Sequence, residues 1–428
     1  MRSPRPRRSR EEVMMNNATN ETSTVHPPIT EQINSVGNHL AQSFRTLLDG
    51  LPGRPTAAKE MAQTLSVDKI LVHNVLRAVR SVDPLATAHS IPGPEPLMRI
   101  IKAAKAKGVP ADAVRAAEAA VSSFKRLINH EAGDRGGLDA IISTMLPEAR
   151  GRFETLAKQS VYRGIRQLKG IAANVHLMTT ILFSRSDDAA RCELASLRGF
   201  LGLRCVRPGA AMKIGMITRT ANMTSPRLTM DGTPASDPRQ FVLTDFCSVP
   251  PTEIDVHEKG ETIIASLAWG NQVGLRSACD VVTADYFTDA LRRWRTPEDR
   301  ATKSGVHEGV SIPTRTLVFD LLLYDNMYPG QDPRVRIIEM GELGMVSAND
   351  DTRELDVLDL DVDMKPMGFG VERFRVKEIP RYVDMLNHVC GKVGADPTRL
   401  RGYRTRIEYP VFGTQVQSYI ELPVRTTS

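Results

Sequence analysis

Cysteine and aromatic residues are both scarce in this 428-residue chain. The cysteines lack the short paired spacing of a zinc site or a disulfide framework, which argues against both and for a reducing cytoplasm; they are Cys192, Cys205, Cys247, Cys279 and Cys390. Aromatic side chains make up only 5% of the residues, too few to build a stacking platform for single-stranded nucleic acid. If the partner is a nucleic acid, duplex DNA is therefore the better candidate.

A hydrophobic run long enough to cross a membrane is also missing. The longest run, residues 171–183, is interrupted by Asn174 and His176 and is too short to span a bilayer. We interpret it as a buried segment, and we expect no membrane partner. A composition of 41% hydrophobic and 25% charged residues is ordinary for a globular protein that has room for two or three domains.

Motifs of nucleotide-driven or nucleophilic catalysis do not occur. The chain has no P-loop and no GxSxG elbow, and the triplet GFG at residues 368–370 is too little for a dinucleotide site. His257-Glu258 and His307-Glu308 lack the second histidine of a helical zinc site, so we interpret both pairs as surface turns. The sequence therefore predicts no catalytic residue, no metal ligand and no cofactor. An enzyme with its site in the C-terminal part is kept as an alternative.

Two groups of charged residues could still bind a ligand. Asp359, Asp361 and Asp363 alternate, which would place them on one side of a strand, where they could hold a cation or simply face solvent. The basic groups could bind an anion, although solvated charge is the favoured interpretation; they are Arg292, Arg293 and Arg295, and Arg399, Arg401, Arg404 and Arg406.

Charge is distributed unevenly along the chain. Residues 1–170 hold 25 lysines and arginines against 16 acidic residues, whereas residues 171–428 hold 31 against 34. A basic front half joined to a slightly acidic back half indicates a polyanion-binding part and a part with another task. The first ten residues contribute five of the arginines, and we expect residues 1–29 to form a disordered basic tail that could add phosphate contacts.

The segment Thr56–Arg80 has the apolar spacing of two short helices that cross at a tight turn. Ala62 supplies the small residue at the crossing, and the inward-facing apolar set is Met61, Leu65, Val67, Val72 and Val75. Thr56 and Asp68 are predicted to cap the first and second helices. The outer face of the second helix then carries hydrogen-bond donors and one apolar side chain, a mixture suited to base edges and phosphates: Lys69, Ile70, His73, Asn74, Arg77 and Arg80.

These 25 residues resemble the helix-turn-helix of bacterial transcription regulators, including the lac-repressor type. Ala62 matches the small position, Val67 the turn valine, Asp68 the cap and Val72 the buried valine of the second helix. Ser66 stands where the family usually has glycine, so the turn must either tolerate strain or differ slightly. The resemblance implies sequence-specific binding of double-stranded DNA, as a homodimer, by a transcription regulator that could respond to an unidentified small-molecule effector. The alternative is an ordinary helical hairpin that serves as scaffold or binds another protein.

We therefore expect an α+β multidomain protein with an N-terminal all-α helix-turn-helix domain, a helical middle and a C-terminal mixed α+β domain. Residues 30–92 would form the helix-turn-helix domain, residues 93–211 a helical connecting or dimerisation region, and residues 212–428 the α+β domain. The first domain adds a helix that carries the stripe Ile33, Val36, Leu40, Phe44 and Leu47. The last is predicted to be strand-rich, with helices at Ala284–Trp294 and at Arg381–Val393, the latter ended by Gly394.

Overall fold

The computed structural model describes residues 27–184, 190–218, 227–249 and 253–425, and the chain forms two compact units that meet in sequence at Phe153 and Glu154. Most of the basic tail expected at residues 1–29 lies outside the described residues. The first unit is helical and the second is rich in strands. Each is described below by itself.

The helical unit folds around one apolar core. Its helices are α1 (Ile29–Asp49), α2 (Ala58–Leu65), α3 (Lys69–Val79), α4 (Pro84–Ser90), α5 (Pro94–Ala106), α6 (Ala111–Arg126), a π-helical turn (Leu127–Ala132), α7 (Arg135–Ser143) and the start of α8 (Pro147–Lys169). The stripe predicted for α1 is confirmed, because Ile33, Leu40, Phe44 and Leu47 are fully buried.

The expected separation of a helix-turn-helix domain from a helical middle is wrong. One continuous hydrophobic cluster joins Phe44 of α1 and Val75 of α3 to Ile100 of α5 and Phe124 of α6. The physical reason is that α3 covers only part of α1, and α1 needs α4, α5 and α6 to cover the rest. A separate three-helix core would leave that apolar surface in water.

The described residues of the second unit form three sheets. Six strands follow the order β10-β11-β8-β1-β2-β6, and two smaller sheets follow β7-β12-β9 and β3-β5-β4. β1 and β8 are parallel, and the other paired strands are antiparallel. The strands are β1 (Ile171–Phe183), β2 (Arg191–Cys205), β3 (Ala211–Thr218), β4 (Asp255–Lys259), β5 (Thr262–Ala268), β6 (Cys279–Arg292), β7 (Lys303–Gly309), β8 (Thr314–Tyr324), β9 (Arg334–Glu339), β10 (Lys365–Phe369), β11 (Leu400–Glu408) and β12 (Thr414–Glu421).

The apolar run at residues 171–183 is β1, and the prediction that it is a buried segment is confirmed. Leu177 and Ile181 point to the face covered by the helix α9 (Tyr382–Val393), whereas Met178 and Leu182 point to the face covered by the sheet β7-β12-β9. A strand buried on both faces needs apolar residues at consecutive positions, so it does not show the alternation of a half-exposed strand.

The C-terminal part therefore differs from the α+β domain that the sequence predicted. Strands begin at Ile171, well before residue 212, and the helix predicted at Ala284–Trp294 is wrong because most of that segment belongs to β6. Phe287 and Leu291 have helical spacing, but β6 pairs with β2 along its length, and this long-range pairing overrides the local pattern. The helix expected near Arg381 is confirmed as α9, which ends at Gly394 in the left-handed conformation (φ 70°).

A buried polar network fastens α9 to the large sheet. Asp320 of β8 is fully buried and accepts hydrogen bonds at both carboxylate oxygens from Arg404 of β11, with N···O distances of 2.8 and 2.6 Å. The Tyr382 hydroxyl at the start of α9 donates to Asp320 Oδ2 at 2.6 Å and lies 2.7 Å from Thr179 Oγ1. Every polar group at this junction therefore has a partner, as burial requires.

We expect Asp320→Asn to lower the free energy of unfolding of this unit by about 3–5 kcal/mol, because it leaves the largely buried Arg404 guanidinium without its countercharge. Asp325→Asn is the matched control, since Asp325 pairs with Arg399 at the surface and exposed pairs contribute little. Urea unfolding followed by tryptophan fluorescence measures the effect, because both tryptophans, Trp269 and Trp294, lie in the sheet unit. Equal midpoints for the two variants would show that the network does not stabilise the fold.

Candidate nucleic-acid interface

The turn between α2 and α3 is tight and passes through a left-handed residue. Ser66 ends α2 in the left-handed conformation (φ 54°, ψ 42°), at the position where the family it resembles usually has glycine. The N–H of Ser66 donates to the Gln63 carbonyl at 3.2 Å, and that of Val67 donates to the Ala62 carbonyl at 3.1 Å. The chain therefore keeps the tight turn and accepts the backbone strain of a non-glycine residue.

The inner face of the helix pair is buried as predicted. Met61, Ala62 and Leu65 of α2 and Val72 and Val75 of α3 are all buried, and Val67 in the turn packs partly buried against the same core. The small side chain of Ala62 lets the two helices approach at the crossing. This packing leaves the opposite side of α3 facing outward.

One of the two predicted caps is confirmed and one is wrong. Asp68 caps α3, and its Oδ1 accepts from the N–H groups of Ile70 at 2.8 Å and Leu71 at 3.0 Å. Thr56 does not cap α2, because the helix begins at Ala58 with Ala57 in the capping position and without a side-chain hydrogen bond. The start of α3 is thus fixed by its own sequence, whereas the start of α2 is not.

Two contacts that sequence reasoning missed hold the other end of α3. Arg45 of α1 donates from Nε to the Val79 carbonyl at 2.6 Å and from Nη2 to the Ser81 carbonyl at 3.4 Å. Thr87 of α4 donates to the Ala78 carbonyl at 3.1 Å. These bonds satisfy carbonyls that a helix end leaves without partners. The donors are remote in sequence, so no local pattern signals them.

The outer face of α3 presents the six predicted residues. Ile70 is 69% exposed, Lys69, His73, Arg77 and Arg80 are also exposed, and Asn74 is half-buried. Within the described part of the chain, none of these six side chains forms a hydrogen bond or an ion pair. Their donors are therefore available to a molecule outside the chain.

The arginine groups of the sheet unit are in a different situation. Arg399 pairs with Asp325, Arg404 with Asp320, and Arg406 with Glu378. Arg401 donates to main-chain carbonyls, and Arg292 pairs with Asp299. These groups serve the fold of their own unit, which argues against the anion site that the sequence left open.

The histidine–glutamate pairs are not surface turns, contrary to the prediction. His257 and Glu258 lie on β4, and His307 and Glu308 lie on β7. Burial by itself raises the pKa of Glu308, but the nearby His176, whose Nε2 lies 3.4 Å from the carboxylate, and the charge of Arg198, whose Nε lies 3.0 Å away, outweigh it and lower the pKa to about 2. Glu308 therefore serves as the countercharge of a salt-bridge network between sheets.

The predicted acidic strand is also not a strand. Asp359, Asp361 and Asp363 lie on an extended segment outside the sheets and face solvent, while the apolar residues between them pack against the sheet unit. Among the described residues, no group of histidine, cysteine and acidic side chains is arranged to hold a metal ion. The alternating pattern thus predicted correctly which side chains are exposed, but the prediction that the segment is a strand is wrong.

We expect Ser66→Gly to raise the free energy of unfolding of the helical unit by about 1 kcal/mol, because glycine adopts the left-handed conformation without the Cβ strain. Ser122→Gly in the middle of α6 is the control, and it should lower the free energy of unfolding by about 0.5–1 kcal/mol because glycine weakens a helix interior. Thermal unfolding followed by ellipticity at the helix band measures both. A loss of stability in both variants would contradict the assigned turn.

A second expectation concerns acid stability. The folded pKa of Glu308 lies below its ordinary value of 4.5, so this carboxylate stabilises the fold above pH 4.5, and the contribution disappears as the pH falls through about 2. Glu308→Gln should flatten the decline of urea midpoints across this window, measured by tryptophan fluorescence. Glu342→Gln, at an exposed position, should leave the decline unchanged. The same slope in Glu308→Gln and the parent would disprove the assignment.

Comparison with known proteins adds no family to these observations. No family model matches the chain, and no curated protein matches it. Within the residues that the structure describes, no helix has the length and apolar character needed to cross a membrane. The case for a function therefore depends on the geometry of α3 and its surroundings.

Proposed function

We propose that this protein binds double-stranded DNA in a sequence-specific manner through α3 and acts as a transcription regulator. The observation that carries the proposal is the outer face of α3, where six side chains suited to base edges and phosphates have no partner within the described residues. The turn at Ser66 and the cap at Asp68 support it, because they give the helix pair the form that lets a second helix enter the major groove.

Each residue on this face has an assigned role in the proposal. Lys69, His73 and Asn74 approach base edges, where an asparagine amide can bind adenine with two hydrogen bonds. Ile70 contacts a thymine methyl group. Arg77 and Arg80, further along α3, bind the flanking phosphates, which position the protein without reading the sequence.

The proposal includes a homodimer in the cytoplasm. A single helix-turn-helix binds weakly, and two copies would occupy half-sites about one helical turn apart. The sheet unit would then sense an effector or hold the dimer together, a role assigned by analogy with the architecture of other regulators.

The first experiment is binding of the full chain to a pool of genomic duplex fragments at increasing salt, with sequencing of the retained fragments. Steep salt dependence together with a recurring sequence supports the proposal. Absence of binding at low salt would overturn it and would direct attention to a protein partner for α3.

The roles of Asn74 and Arg77 predict different defects. Asn74→Ala should relax base preference at one position of the site, at a cost of about 1–3 kcal/mol in discrimination. Arg77→Ala should weaken binding to all duplexes and reduce the slope of log K against log salt by about 1. Both are measured by fluorescence anisotropy over a salt series.

Arg99→Ala is the matched control, because Arg99 is an exposed arginine of the same unit that lies on α5, away from the α3 face. It should change neither base preference nor the salt slope by more than a fraction of the Arg77→Ala effect. Unchanged binding in both Asn74→Ala and Arg77→Ala would remove α3 as the reading helix.

A further inference from the structure

A groove of about 810 Å³ runs along one side of α3, entirely within the helical unit. Its lining includes His73 and Arg77 of α3, Arg80 directly after that helix, and Ala149 and Arg152 from the first turns of α8. The groove is therefore continuous with the proposed reading face, because three of the six predicted residues belong to both.

The charged side chains of the groove are mostly not used by the fold. Arg77, Arg80 and Arg152 make no hydrogen bond or ion pair from their side chains within the described residues. Two carboxylates also line the groove, and one of them, Asp83, already caps α4 by accepting from the Leu85 N–H at 2.9 Å. Glu148 is the other, one helical turn before Arg152.

Arg152 differs in this respect from three other arginines of the unit. Arg45 is bonded to main-chain carbonyls at the end of α3, Arg115 pairs with Asp112, and Arg135 bonds the main chain at His89 and the carboxylate of Asp139. Arg152 is instead exposed, has no such partner in the described part of the chain, and lines a groove that two other arginines, Arg77 and Arg80, also line.

We propose that this groove holds a stretch of the phosphodiester backbone of the duplex that α3 reads, and that Arg152 binds a phosphate there together with Arg77 and Arg80. The inference rests on the proposed function and extends it to a residue far outside the helix-turn-helix. The physical argument is geometric and electrostatic. A helix in the major groove has a sugar–phosphate backbone on each side, and guanidinium groups bind phosphate oxygens with two parallel hydrogen bonds.

The test measures affinity for a random-sequence duplex of about 30 base pairs across 50–200 mM salt, because phosphate contacts act without regard to sequence. Arg152→Ala should weaken binding about 3- to 10-fold in this range and lower the salt slope by about 1. Arg152→Lys should keep the slope, since a lysine retains the charge. Arg99→Ala again controls for the loss of a positive charge elsewhere in the unit.

Glu148→Gln, at another position that lines the groove, should change the affinity for DNA in the opposite direction. Removing this carboxylate should strengthen binding to the same duplex, because it no longer repels phosphate. This variant also separates a loss of DNA contacts from misfolding, because a misfolded protein would not gain affinity. The groove assignment would be overturned if Arg152→Ala had the same affinity and salt slope as Arg99→Ala. It would also be overturned if Glu148→Gln did not bind the duplex more tightly than the parent.

The two proposals fail in distinguishable ways. If the parent protein binds no duplex at 50 mM salt, the proposed function itself is wrong. If the parent binds and Arg77→Ala lowers the slope while Arg152→Ala does not, only the assignment of the groove is wrong. Loss of base preference in Arg152→Ala without a change of slope would also contradict it, because a phosphate contact carries no sequence information.

Discussion

The burial of α1 is the constraint on which the presentation of α3 depends. Four of its large side chains are fully buried, and it contacts α3, α4, α5 and α6, so the helices of the unit are arranged around it. The same helix supplies Arg45, which binds carbonyls at the end of α3. With its inner face packed on this core and both ends fixed, α3 has one side left, and that side carries its polar residues.

Arginine side chains have different roles in the two units. In the sheet unit the arginines considered as anion sites are paired with carboxylates or main-chain carbonyls, and Arg404 is part of the network that attaches α9 to the sheet. In the helical unit Arg77, Arg80 and Arg152 have no such partner among the described residues. Basic composition alone does not separate these cases, because only the arrangement of partners shows which charges the fold already uses.

The sequence predicted the helix pair α2–α3 well because its signals are local. The spacing of Met61, Leu65, Val72 and Val75, the capping carboxylate of Asp68 and the small Ala62 all act within one or two helical turns. The exposed face of α3 follows from the same spacing. The prediction that Thr56 caps α2 is wrong because α2 begins at Ala58, two residues after Thr56. A hydroxyl side chain does not by itself set where a helix begins.

What the sequence determined by itself is therefore the set of short-range features: the helix pair, α1, the end of α9 at Gly394, and the burial of residues 171–183, which the sequence did not identify as a strand. Tertiary structure decided the rest. Pairing with β2 made a strand of residues that have helical spacing, and the shared core merged two expected domains into one. The groove that both Arg77 and Arg152 line likewise depends on the packing of residues about 75 positions apart. Such contacts are decided by which surfaces pack together, and no pattern within a single segment records that choice.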